Sequence, residues 1–117
     1  MKTISAVLLL VSVLLAGCSE QAAKQPTAAE TDPALAELLR AGRARAASCA
    51  ACHGAQGISV NPMYPSLAGQ DESSLRSALL AYRDGERVNN LMSPQARALS
   101  DQDISLLAAY FAALPAR

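Results

Sequence analysis

Beta-branched aliphatic residues are scarce in this chain: past Gly17 only Ile58, Val60, Val88 and Ile104 occur. No stretch alternates apolar and polar residues with a period of two, so nothing reads as a strand. An excess of either charge is missing too. Ten Lys and Arg balance ten Asp and Glu, and the basic residues are scattered arginines without interleaved aromatics. That excludes the basic footprint nucleic-acid binding requires. Apolar runs are short: Ile4 to Leu15 offers roughly a dozen residues, against the roughly 20 of a membrane-spanning helix. There is one histidine and there are three cysteines, an odd number, so a pure disulfide framework would leave one thiol unpaired. No internal repeat is present.

What is there begins with a leader. Lys2 supplies a positive start and the short apolar run follows, so residues 1–17 are expected to be a lipoprotein signal peptide. Leu15-Ala16-Gly17-Cys18 resembles the lipobox, after which Cys18 carries a lipid and becomes the new N-terminus. The alternative is ordinary secretory cleavage with a free Cys18 thiol. Ser19 resembles the residue of lipoproteins sorted to the outer membrane. Residues 18–31, rich in Ala, Gln, Glu and Thr, cannot bury enough surface to offset chain entropy and read as a flexible tether. Its reach is about 20 Å.

The remaining residues, 32–117, form one domain, and its pattern is all-α. Asp32-Pro33 opens a first helix whose apolar face is Leu35, Leu38, Leu39, Gly42 and Ala46. A second helix is predicted from Asp71 to Asp84, with Leu75, Leu79 and Tyr82 in line and Gly85 as its stop. Ser93-Pro94 is expected to cap a short piece reaching Leu99. Ser100 with Asp103 is a weak capping box opening the last helix, which buries Ile104, Leu107, Ala108, Phe111 and Leu114 and ends at Pro115. A Gly- and Pro-rich loop lies between Gly54 and Gln70. About 85 residues make a marginal core, so a cofactor is expected to complete it.

Cys49-Ala50-Ala51-Cys52-His53 is a C-x-x-C-H sequence, the attachment signature of c-type haem. Residues i and i+3 share a helical face, so both thiols can add to the two vinyl groups on one porphyrin edge. His53 follows as an axial iron ligand, and Gly54 lets the chain leave through a left-handed conformation. Three other readings compete. A thioredoxin-like dithiol sits after a strand, which is lacking; structural zinc wants four N/S ligands, and only Cys18 remains; a Cys49–Cys52 disulfide closes a tiny loop. A single histidine excludes bis-His ligation within the chain. Met63 lies about ten residues after His53 and Met92 roughly forty, past a helix that can carry the chain to the other haem face. Met92 is therefore favoured as sixth ligand over Met63 and over a role as core filler.

From Gly42 to Leu114 the chain resembles a class I cytochrome c, within it the bacterial cytochrome c4/c5 group. The resemblance rests on residues 42–54, on Tyr64-Pro65-Ser66-Leu67-Ala68-Gly69-Gln70, on Gly85-Glu86-Arg87 leading to Met92, and on Leu107-Ala108-Ala109-Tyr110-Phe111. It implies a small helical fold around one haem c, Met92 on the iron, and the Pro65 carbonyl bonded to His53. It also implies that Gly42 and Ala46 let the first helix cross the last near Tyr110. Cytochrome c4 itself has two haem domains, and the lipid anchor is a further departure. The function implied is a mono-haem electron carrier, a monomer and not an enzyme. It would face the periplasm on a lipid anchor and serve a terminal oxidase, reductase or quinol-oxidising complex. The alternative is a haem-based ligand sensor or peroxidase-like enzyme with a labile sixth ligand. Arg87 is a candidate partner for a haem propionate, against simple solvent exposure. Lys24 is the one lysine beyond the leader, so partner docking is expected to depend only weakly on salt.

Overall fold

The computed structural model describes residues 32–117; the expected signal peptide and tether, with Cys18 and Ser19, lie outside the described residues. The first helix, α1 (Pro33–Arg45), starts where Asp32 accepts the Ala34 N–H at 2.9 Å and Pro33 takes a first-turn position. Proline is suited there because its missing N–H has no partner in the first turn anyway. The backbone then tightens into a 3-10 turn (Ala46–Ser48) that leads into α2 (Ala50–His53). The expected apolar face of α1 is graded along its length. Leu35 is exposed, Leu38 and Leu39 are half-buried, and Gly42 and Ala46 are buried, because the crossing with the last helix falls at the C-terminal half of α1.

The third helix, α3 (Glu72–Asp84), is capped by Asp71, whose carboxylate accepts the Ser74 N–H at 2.8 Å. It stops at Gly85 in the left-handed conformation (φ +85°, ψ 5°). Leu75 is buried and Leu79 and Tyr82 half-buried. The fourth, α4 (Met92–Arg97), starts earlier than Ser93-Pro94 signals. Ser93 lies inside it, 3% exposed, and the capping belongs to Asn89. The Asn89 carboxamide oxygen accepts the N–H groups of Leu91 and Met92, each at 2.9 Å, and its carbonyl accepts Ser93 N–H at 3.0 Å. A proline inside the first turn is tolerated as readily as one at its first position, so Ser-Pro alone marks the start only to within a turn.

The last helix, α5 (Asp101–Ala113), carries a full capping box despite having Asp where Glu or Gln is usual. Ser100 Oγ accepts the Asp103 N–H at 3.1 Å and Asp103 accepts the Ser100 N–H at 3.0 Å. It ends at Leu114, whose extended ψ of 144° is what a residue before proline adopts. Both α1 and α3 pack on α5, and α4 packs on α3. This explains why α5 buries Tyr110 in addition to Ile104, Leu107, Ala108 and Phe111: it lies between two neighbours. Leu114 remains half-buried. At the α1–α5 crossing a Cβ on Gly42 would stand 2.4 Å from Tyr110 Cβ, so only glycine permits that approach. Arg45 spans the same two helices, its Nε 2.5 Å from Asp103 Oδ1. Among the described residues every regular element is helical, as the expected all-α class requires.

Candidate functional site

Cys49 closes the 3-10 turn and Cys52 and His53 lie in α2. The N–H groups of Cys52 and His53 both donate to the Cys49 carbonyl, at 3.2 and 2.9 Å. This continuous turn sets the two sulfurs three residues apart on one helical face. Cys49 is half-buried against the core, Cys52 is exposed, and no disulfide joins them. Burial pushes the Cys49 thiol above its ordinary value, against the opposing pull of Ser48 and the Arg45 charge. Gly54 ends the segment with φ +85° and ψ 149°. The positive φ was expected; the ψ is extended, not left-handed helical, a region open essentially to glycine alone. A Cβ there would lie 1.9 Å from the Ile58 carbonyl oxygen.

His53 is 5% exposed. Its Nδ1 lies 2.7 Å from the Pro65 carbonyl oxygen, which can only accept, so Nδ1 carries a proton and in the neutral imidazole the lone pair is on Nε2. The loop that presents Pro65 is itself tied down. Leu67 and Ala68 both donate to the Gly57 carbonyl, at 2.8 and 3.1 Å. Ser66 Oγ accepts the Ser59 N–H at 3.0 Å, and the Ser59 hydroxyl reaches back to the Cys52 carbonyl at 3.3 Å. Gly69 N–H donates to the Phe111 carbonyl at 2.9 Å, fastening the loop to α5. Tyr64 sets its ring at 61° to His53 with centroids 6.4 Å apart, an edge contact that confines the imidazole.

Met92, half-buried, is the first residue of α4, and its N–H is held by Asn89. Met63 stands 80% exposed in the loop that carries Pro65. Val60 lies in that loop as well, Val88 and Leu91 in the one preceding α4, and all three are exposed. Arg87 is exposed, its guanidinium 4.7 Å from the centroid of Tyr82 and its N–H bonded to the Ala81 carbonyl at 3.0 Å. The guanidinium thus rests on an aromatic face.

An unencumbered imidazole Nε2, a thioether and two thiols at i and i+3 make a donor set suited to a thioether-linked iron porphyrin. The family model for cytochrome c matches residues 39–115, well over half the chain. Cytochrome c-554(548) of Halomonas halodenitrificans is 46% identical over 74 residues, covering 61% of this chain and 89% of that one. Cytochrome c4 of Pseudomonas aeruginosa is 49% identical over 72 residues, 62% of this chain but 36% of the relative. The thiosulfate dehydrogenase electron acceptor of Stutzerimonas stutzeri is 45% identical over 67 residues, 55% of this chain and 31% of its own. The chain thus spans about a third of the last two relatives. It belongs to the cytochrome c family, as a small all-α class I member resembling the c4 group. It is a c-type cytochrome electron carrier, and Cys49, Cys52 and His53 fit one covalently bound haem c.

Sequence reasoning missed three participants. Tyr64 stood within a quoted segment without a role, and its order beside His53 depends on the tied loop. Asn89 carries no expectation in the sequence analysis, although Asn three residues before a helical Met has N-cap spacing. Ser93 was assigned the cap and instead supplies a buried hydroxyl.

Proposed function

We propose that this chain is a mono-haem single-electron carrier whose iron is held between His53 and Met92, and that it acts outside the cytoplasm without catalysing a reaction of its own. The bond from His53 Nδ1 to the Pro65 carbonyl carries the reading. It fixes one tautomer and one ring orientation and leaves Nε2 as the donor, the arrangement that second-sphere partners give a metal-ligating histidine. Haem c, when bound, supplies a one-electron Fe(III)/Fe(II) couple. The chain's own part is to hold that couple still. Cys49 and Cys52 fasten the porphyrin edge, His53 is clamped from Pro65 and Tyr64, and Met92 offers a soft sulfur that favours the reduced state. His53 and Met92 would together hold the iron and leave no place for an exogenous ligand, which favours electron transfer over ligand sensing or peroxidase chemistry. Arg87 is the proposed partner of a haem propionate.

The test is the absorption spectrum of the matured protein. The ferric form is expected to show the weak long-wavelength band of sulfur–iron ligation, and Met92→Ala should abolish it. Persistence of the band in that variant, or rapid carbon monoxide binding by the reduced wild type at neutral pH, would sink the His53/Met92 carrier reading.

Export and anchoring complete the proposal. Residues 1–17 serve as signal peptide, Cys18 takes the lipid, and residues 18–31 tether the 32–117 domain to the envelope, with Ser19 directing it to the outer membrane. Its partners are redox proteins of that compartment: a dehydrogenase or quinol-oxidising complex as donor, a terminal oxidase or reductase as acceptor. The Stutzerimonas relative, a thiosulfate dehydrogenase electron acceptor, supports a dehydrogenase donor. Cys18→Ser should shift the cytochrome from the membrane fraction to the soluble one; unchanged membrane association would refute anchoring through Cys18.

A further inference from the structure

The segment that presents Met92 is locked by a small reciprocal hydrogen-bond clasp. Asn89 Oδ1 accepts from Leu91 N–H and Met92 N–H, both at 2.9 Å. Ser93 Oγ returns the favour by accepting the Asn89 N–H at 3.0 Å, and its hydroxyl points to the Arg87 carbonyl at 3.5 Å. Two N–H groups at the start of α4 and the N–H of the capping residue itself are therefore all satisfied locally. Ser93 is 3% exposed and Ala96, one turn on, is fully buried. Ser93 thus anchors the clasp from the inner face of α4, while the two bonds to the Asn89 carboxamide lie at the solvent-exposed surface. Leu91 is more than half exposed, so the apolar neighbour of Met92 does little to hold this turn. Polar capping does it.

We infer that Asn89, with Ser93 behind it, is a positioning residue that sets how firmly Met92 stays on the haem iron. The inference rests on the reading of Met92 as sixth ligand. Met92 belongs to the first turn of α4, and in this inference its sulfur leaves the metal together with a loosening of residues 89–93. The cap's free energy then weighs on the ligated form alone. Removing the carboxamide hands the N–H groups of Leu91 and Met92 to water, loses the cap's local bonds, and raises the population in which the sulfur is detached. Asn89 touches neither iron nor porphyrin in this account; it acts through Met92.

Imidazole reads that population, because it binds ferric iron only where Met92 has left, and its apparent affinity scales with the fraction detached. Holoprotein is titrated with imidazole at fixed neutral pH while the long-wavelength band is followed. For Asn89→Ala the apparent affinity is expected to tighten about fivefold, the effect of losing one good N-cap. Asn89→Asp, which retains an acceptor in the same place, should return to within about twofold of wild type. Ser93→Ala keeps the carboxamide but strips the Asn89 N–H of its acceptor, and should tighten binding about threefold. It also provides a second reading if Asn89→Ala matures poorly. Asp71→Ala removes the cap of α3, away from this turn. It should lower the melting temperature while leaving imidazole affinity unchanged, separating positioning from general loosening. Wild-type imidazole affinity in both Asn89→Ala and Ser93→Ala overturns the inference and leaves the Met92 ligand intact. Equal tightening in Asp71→Ala overturns it as well. A Met92→Ala protein that keeps the band overturns the ligand reading, and this one with it.

Discussion

Gly42 shows how much one missing side chain decides. Its Cα faces Tyr110 so closely that an added methyl would meet Tyr110 Cβ and Cγ at 2.4 Å. Those atoms sit next to the backbone of α5 and cannot swing aside. Gly42→Ala is therefore expected to destabilise the holoprotein by about 1–3 kcal/mol through overpacking, although alanine favours helix by about 1 kcal/mol. Thermal unfolding checks the sign: a variant with an unchanged or higher melting temperature would show that the crossing can widen freely. The resemblance to class I cytochromes c, not the apolar stripe alone, assigns this glycine to the crossing. The haem-binding cysteines were legible in the sequence, since their spacing is dictated by the cofactor. Asn89 was not, because a carboxamide next to another carboxamide carries no sign of which one caps, and Ser93-Pro94 offered a stronger local signal. Chemistry that a residue performs on its own backbone neighbours leaves little trace in composition.

The meeting of α1 and α5 combines two devices that a linear reading keeps apart. Asp103 caps its own helix through Ser100 and also receives Arg45 from α1. The Arg45 guanidinium, followed by the Ser100 bonds, holds the Asp103 carboxyl well below the usual carboxylate range. Asp101, beside Arg83, is depressed as well, as are Asp71 under its three serine-derived bonds and Glu37 beside Arg40. A carboxylate whose folded pKa is depressed contributes stability that is present above its unfolded value near 4 and lost as pH falls through the folded one. The protein is thus expected to lose stability progressively below about pH 4, with a flat profile from there to neutrality from these groups. Asp103→Asn should be less stable than wild type at pH 7 and lose less between pH 5 and 3. Melting temperatures across that range decide it, and parallel curves for the two proteins would remove Asp103 as a contributor. The capping box was visible in the sequence as Ser100 and Asp103. The ion pair was invisible, because 58 residues separate its partners and no local pattern brings them together.

At the scale of the molecule, few large side chains are fully buried: Ile104 and Leu107 lead. Alanines supply much of the rest, with Ala46, Ala68, Ala96 and Ala108 all inside. So lean a core should leave the fold dependent on the apolar porphyrin. Cys49→Ala with Cys52→Ala, expressed without haem attachment, is expected to lose cooperative thermal unfolding and much of its helical circular dichroism; full, cooperative helicity would contradict this. The all-α class and most helix boundaries could be read from period and punctuation, whereas the way α5 sits between α1 and α3 could not. That arrangement has a temporal consequence. The helix preceding the cysteines packs on the helix that follows everything else, so a chain growing from its N-terminus presents Cys49 and Cys52 long before that pair can form. A haem fastened by Cys49 and Cys52 at that stage would be tied to an open thread, with the knot drawn tight afterwards from the far end.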